Sequence, residues 1–282
     1  MKIKIVVDSA SDLIEEDYES LKIRRVPIEV RFGDEEFLDG ETLSASDFYT
    51  KLAENPNHPQ TSLINSFRWS EIFAEELKKA DQVVAITLSS CISGTYQAAL
   101  EASKDFDGKV FVVDSKNATL GEGVLAKVAS KLVFEGKSGE EIKAELDKIK
   151  SKLKVFAGID TLKYLKKGGR ISAATAFFGE ALNFKPIIGV IDGEVKMKDK
   201  ARGVKKAIAT LVEIINETNG IDTDMPVSVI CSGNDRANVE KFIEEASHLW
   251  KDSKEEVKTY CLGSTIGTHI GPGAFGICYF EK

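Results

Sequence analysis

ITLSSCISGTYQAA, residues 86–99, decides how this chain is read. An apolar run from Val83 to Leu88 empties into a turn rich in serine and glycine, and from Thr95 onward the residues favour a helix. A strand that ends in such a turn at a helix start leaves backbone N–H groups without intrahelical partners, beside small hydroxyls. That arrangement suits an anion. Ser89, Ser90 and Ser93 offer hydroxyl donors, and Gly94 lets the backbone approach a ligand oxygen closely. The plainer reading is that Ser93 only caps its helix.

Two more runs in the first half end at polar turns: Lys2–Val7 before Asp8-Ser9-Ala10-Ser11-Asp12, and Val110–Val113 before Asp114-Ser115. Helical patterns intervene at Phe67–Lys78, Thr95–Ser103 and Gly123–Phe134. Alternation of strand and helix predicts a Rossmann-like parallel sheet in a three-layer α/β domain, with ligands beyond the carboxyl ends of the strands. The segment Arg24–Leu43 breaks the rhythm, with alternating Val26, Ile28, Val30 and Phe32, and reads as a small excursion or edge strand. Asn55-Pro56-Asn57-His58-Pro59 marks a loop that delivers Gln60-Thr61-Ser62 to the next helix. A lysine-rich amphipathic helix, Ser138–Leu153, joins this part to a second α/β unit. There, strands are expected at Val155–Ile159, Phe184–Ile191, Val227–Cys231, Val257–Leu262 and Gly276–Phe280, with helices at Gly203–Asn216 and Ala237–Trp250. Lys166-Lys167-Gly168-Gly169-Arg170 reads as a basic turn and His269 as part of a loop. The expected architecture is two α/β domains, residues 1–153 and 154–282, with a ligand between them.

Composition narrows the function classes. With 282 residues, 43% hydrophobic and 29% charged, the chain can bury an ample core. A net charge of −7 argues against broad nucleic-acid or anionic-membrane binding. Cys91, Cys231, Cys261 and Cys278 show no metal-like spacing to the three histidines and suit reduced thiols in a cytosol. No apolar run is long enough to span a bilayer, and the opening MKIKIVVDSASDL reads as a strand rather than a signal peptide. No internal repeat is visible. Asp8, Asp12 and Asp114 follow strand ends, as metal-binding carboxylates do, but each precedes serine or lies among turn residues, which fits Asx turns and caps better. No metal is expected.

Taken together the strings VVDSASDL, Gln60-Thr61-Ser62, SSCISGTYQAA, VVDSKNATLGEG, IDTLKYLKKGGRIS, NFKPIIGVIDGEV, KARGVKKA and IGTHIGPGAFGICYF resemble the DegV family of bacterial fatty-acid-binding proteins, along nearly the whole chain. Departures from the family pattern fall at Ala10, Leu63-Ile64-Asn65 and Cys91-Ile92. The resemblance implies a lipid-binding protein rather than a self-sufficient enzyme: two α/β domains clasping one long-chain fatty acid, with no cofactor. It further implies a partner, a fatty acid kinase that phosphorylates the presented carboxylate with ATP to acyl phosphate for phospholipid synthesis. The chain itself has no GxxxxGK[ST] loop and no protein-kinase signature.

Chemistry sets what such a site needs. Each buried methylene is worth about 0.8 kcal/mol, so about fourteen give on the order of 11 kcal/mol. Association costs are about 4–15 kcal/mol, so the tail must supply most of the grip while head-group contacts fix orientation. For the carboxylate the candidates are Thr61, Ser62, Ser93, Gly94 and His269; their plainer roles are turn residue, helix cap and structural hydrogen-bonder. Arg170 reaches the ligand mouth or an incoming phosphate, or else plain solvent. Arg202, with Lys200, Lys205 and Lys206, is either a kinase-docking cluster or a solvated helix start. Candidates for the acyl pocket are Phe177, Phe178, Leu182, Phe184, Ile187 and Ile188, each equally suited to core packing. His58 and His248 are read as surface residues. Two rivals remain: a stand-alone acyl hydrolase or transferase using Ser93 and His269, and a carrier of another lipid with no kinase partner.

Overall fold

A computed structural model describes residues 1–171 and 184–282. Phe177, Phe178 and Leu182 lie outside the described residues. The chain opens with β1 (Ile3–Asp8), α1 (Glu15–Ser20), β2 (Arg24–Val26), β3 (Glu29–Phe32), β4 (Glu35–Leu38), α2 (Ala45–Glu54) and β5 (Gln60–Thr61). Then come α3 (Ser66–Glu76), β6 (Gln82–Thr87), α4 (Thr95–Ser103), β7 (Val110–Asp114), α5 (Leu120–Phe134) and α6 (Gly139–Ile149). The second half holds β8 (Leu153–Gly158), α7 (Lys163–Gly168), β9 (Phe184–Ile191), β10 (Glu194–Arg202), α8 (Val204–Glu217), β11 (Ser228–Cys231), α9 (Ala237–Ala246), β12 (Lys258–Cys261), α10 (Ser264–Ile270) and β13 (Phe275–Phe280). No helix among the described residues is long and apolar enough to cross a membrane.

The strands IKIVVD, QVVAIT and VFVVD are almost continuously apolar because both sheet faces are covered. They form a parallel sheet in the order β2-β1-β6-β7, with Ile5 beside Val84 and Ile86 beside Val113. Its carboxyl edge gathers Asp8, the serine turn and Asp114, as the alternation of elements predicts. The second sheet runs β10-β9-β8-β13-β11-β12 and is antiparallel except for the β11–β12 pair. All strands of the first sheet precede Leu153, and all strands of the second begin at or after it.

Helix α5 explains how the halves join. Its sequence, LGEGVLAKVASKLVF, is apolar on more than one face, so it packs against β1 and β6 on one side and β8 and β13 on the other. The resulting core is continuous: Val84 and Val124 belong to the same buried cluster as Val155, Ile230 and Phe280.

Three local readings change in the structure. Glu194–Arg202 is a full strand paired with β9, hidden in the sequence because its outward positions are lysines and acids on a solvated hairpin edge. The basic turn is the last turn of α7, closed by Gly169 at φ +69° in the left-handed region. His269 lies on helix α10 rather than in a loop. That helix is invisible locally because Asp39, 225 residues away, accepts the Ser264 N–H at 2.9 Å and the Ser264 hydroxyl at 2.6 Å.

The excursion after β2 also acquires a purpose. Strands β4, β3 and β5 form a small antiparallel sheet in which Val30 pairs with Thr61, and the Ser62 N–H donates to Glu29 O at 3.0 Å. This is what places Thr61. The following helix is capped by Asn65, whose Oδ1 accepts the Arg68 N–H at 2.9 Å, not by Ser62.

Candidate functional site: an apolar cavity with a polar collar

A cavity of about 270 Å³ lies between the carboxyl edge of the parallel sheet and the face of the second sheet that carries β8 and β9. Val155, Ala157, Ile188 and Val190 supply one wall, Ile266 and Ile270 of α10 another, and Leu88 and Ala118 the parallel-sheet side. Alternation along β9 decides which side chains take part. Ile188 faces the cavity, whereas Ile187, buried beside it in sequence, packs into the separate core formed with Ala207, Ile208 and Leu211 of α8. Phe184, at the start of β9, carries the Lys200 ammonium 5.6 Å from its ring centroid and is not part of the wall.

Polar groups collect at one end. Thr61, Ser62, Ser93, Gly94, Arg170 and His269 all line this cavity, although they come from four separate stretches of chain. The Thr61 hydroxyl and His269 Nε2 are 3.0 Å apart. Ser93 Oγ donates to Thr95 Oγ1 at 3.0 Å and accepts the Thr95 N–H at 3.2 Å, so it caps the helix start while standing at the cavity edge. Gly94 is pressed close to Leu63, whose Cδ2 would lie 3.0 Å from any added Cβ. Arg170 ties α7 to the serine turn: Nε donates to Ile92 O at 3.2 Å and a terminal nitrogen to Gly168 O at 2.6 Å.

The other serines of the turn are engaged elsewhere. Ser89 Oγ donates to Gly193 O at 2.8 Å, latching the turn to the β9–β10 hairpin, and Ser90 Oγ accepts from Lys116 Nζ at 2.9 Å. Ser62 lines the cavity but sends its hydroxyl to Glu29 Oε1 at 3.1 Å. Arg202 is exposed at the end of β10, away from the cavity wall. His58, read as a surface residue, is half-buried and tilts against the Tyr164 ring with centroids 5.9 Å apart. His248 is exposed.

Electrostatics give the collar a neutral imidazole. Burial pushes His269 down to about 4, and Arg170 and His58 act in the same direction. Its Nδ1 is buried against Gly168, with no hydrogen-bond partner among the described residues. A carboxylate arriving beside an uncharged imidazole and a guanidinium meets net positive potential with little repulsion.

Behind the cavity lies a cluster of buried acids that spacing did not reveal. Asp8 accepts the N–H groups of Ala10 and Leu88, each at 3.0 Å, and burial raises it to about 7. Glu122, in the first turn of α5, is raised well above the usual range by burial and by the nearby Asp8 and Asp12. Burial and the neighbouring carboxyl push both groups the same way, towards the protonated form. Asp114 is different: its Oδ1 accepts the N–H groups of Ser90 and Lys116, an Asx-type arrangement.

The fold and site define a three-sheet α/β protein with a mostly apolar cavity whose lining includes hydroxyls, an imidazole and a guanidinium. Comparison makes the assignment specific: the family described as "Uncharacterised protein, DegV family" matches residues 2–282, and this chain belongs to it. A DegV domain-containing protein of Caldanaerobacter subterraneus is 35% identical over 286 residues, covering 100% of this chain and 99% of that protein. Among solved structures, a fatty-acid-binding DegV family protein of Thermus thermophilus superposes with a TM-score of 0.89 at 32% identity, covering 100% of both chains. DegV of Bacillus subtilis, a fatty acid binding protein, has a TM-score of 0.86 at 33% identity, again over 100% of both.

Proposed function

We propose that this chain binds one long-chain fatty acid in the cavity and presents its carboxylate, held by Thr61, Ser93, the Gly94 N–H and His269, to a cytoplasmic fatty acid kinase. The product would be an acyl phosphate for phospholipid synthesis, and the chain itself would need no cofactor. The observation that carries the reading is the convergence of those four residues on the lining of a mostly apolar cavity. Fatty acid binding by the Thermus and Bacillus proteins supports it. Arg170, on the cavity wall, would face the incoming phosphate, and the exposed Arg202 with Lys205 and Lys206 would contact the kinase.

The hydrolase reading is the weaker one on geometry. Ser93 Oγ bonds to Thr95 and His269 Nε2 to Thr61, so the two residues that a nucleophile–base pair would use are turned to other partners.

Organic extraction of purified protein followed by mass spectrometry should release a long-chain acid, and palmitate or oleate should raise the Tm of delipidated protein. Thr61→Val should weaken fatty acid binding by about tenfold at most, the scale of one head-group hydrogen bond. With cognate kinase and ATP, loaded protein should yield acyl phosphate. Turnover of acyl esters by the isolated chain, lost in Ser93→Ala, would replace the carrier with an enzyme. Tight binding without acyl phosphate would leave a lipid carrier that serves no kinase.

A further inference from the structure

The cavity wall is not uniformly apolar. Thr119, immediately before α5, and Thr265, in the first turn of α10, both line it and are 6% and 3% exposed. Their hydroxyl oxygens are buried and have no hydrogen-bond partner among the described residues. Asp12 lies between their chain segments: its carboxyl adjoins Thr119, and its Oδ1 accepts the N–H of Gly263, two residues before Thr265, at 2.7 Å. Asp12 Oδ2 is likewise buried without a partner among the described residues. An unsubstituted acyl chain passing this spot leaves the Thr265 hydroxyl dry and gives Thr119 only the adjoining Asp12 carboxyl, a poorer outcome than valines of the same shape would give.

We propose that the cavity is built for a fatty acid whose chain bears an oxygen substituent, a hydroxyl or keto group, received by Thr119 and Thr265. The inference rests on the carrier reading and names its substrate class. A hydroxyl on the chain can donate to one threonine and accept from the other, and a keto oxygen can accept from both. Position along the chain follows from the helix. Thr265 precedes His269 by four residues, about 6 Å along the axis, and an extended chain advances roughly 1.2 Å per bond. The substituent therefore sits about five bonds beyond the carboxylate, between roughly carbons 4 and 8.

The test is displacement of a fluorescent long-chain fatty acid from delipidated protein by stearate and by monohydroxystearates substituted singly at carbons 3 to 12. Binding should peak when the hydroxyl falls in the predicted window, roughly threefold to tenfold tighter than stearate, and should weaken outside it. In Thr265→Val, stearate should bind more tightly and the preference should vanish. A hydroxyl that weakens binding at every position overturns the inference while leaving the carrier reading intact. A preference that survives in Thr265→Val overturns the assignment to these residues. Failure of stearate and of every derivative to displace the probe sinks the carrier reading and this inference with it.

Discussion

His269 shows how a single side chain couples ligand chemistry to stability. Its folded value of about 4 lies below the ordinary 6.5, so the unfolded chain takes up a proton on that residue where the folded one does not. The stability it contributes is complete above pH 6.5 and is lost as the pH falls towards 4, a span of about 3 kcal/mol at most. Thermal unfolding of delipidated protein, followed from pH 8 to pH 4, should therefore show a shallower acid-side decline in His269→Asn than in the natural chain. Superimposable profiles would mean that the imidazole is not held neutral by burial. The collar was legible in the sequence because each member stands in a distinctive string: SGT for Ser93 and Gly94, QTS for Thr61, THIGPG for His269 and KKGGR for Arg170. Glu122 was not, since a lone glutamate between glycines gives no sign that it will be buried against Asp8. Thr119 and Thr265 were equally silent: whether a hydroxyl finds a partner depends on chain segments far away.

At the scale of elements, α7 and α10 pack closely enough to leave no room for a methyl group at Gly168. A Cβ there would run into the His269 ring at Nδ1. On an exposed helix, glycine to alanine is ordinarily worth roughly 0.5–1 kcal/mol of stabilisation. In Gly168→Ala the ring must turn away instead, breaking the 3.0 Å contact with Thr61, so fatty acid retention should fall even where the melting temperature holds. Equal retention by natural and substituted protein would show that the ring has somewhere else to go. Elements with strong local signatures, such as β1, β6 and α4, could be read directly from hydrophobic period. Helix α10 could not, because its cap comes from Asp39 on a distant loop. The tunnel wall on β9 could not either: neighbouring isoleucines point to opposite faces of a strand, and only pairing with β8 says which face is which.

At the scale of the molecule, the two sheets share α5 and one continuous core, and an ion pair between Lys258 and Glu16, at 2.9 Å, crosses between the halves. Trp69 is buried in the first half and Trp250 in the second, and they are the chain's only tryptophans. Replacing each in turn with phenylalanine leaves one reporter per half. Both proteins should then unfold in urea with a single transition seen alike by fluorescence and circular dichroism. Two well-separated steps would show that residues 1–153 and 154–282 are thermodynamically independent. The change of rhythm near Leu153 made the break between the two sheets visible in the sequence; the burial of α5 against both sheets, which binds the halves together, was not, because periodicity alone does not say how many neighbours a helix has.

The latch from Ser89 to the Gly193 carbonyl and the reach of Arg170 to Ile92 O fasten the serine turn to the second half on either side of the collar. On the proposed carrier reading, a guest leaving through that rim would have to wait for the fastenings to part, whatever the length of its tail. Residence time would then follow how often the rim breathes, and loosening either fastening would hasten departure without touching the greasy interior that would decide how tightly the guest is held.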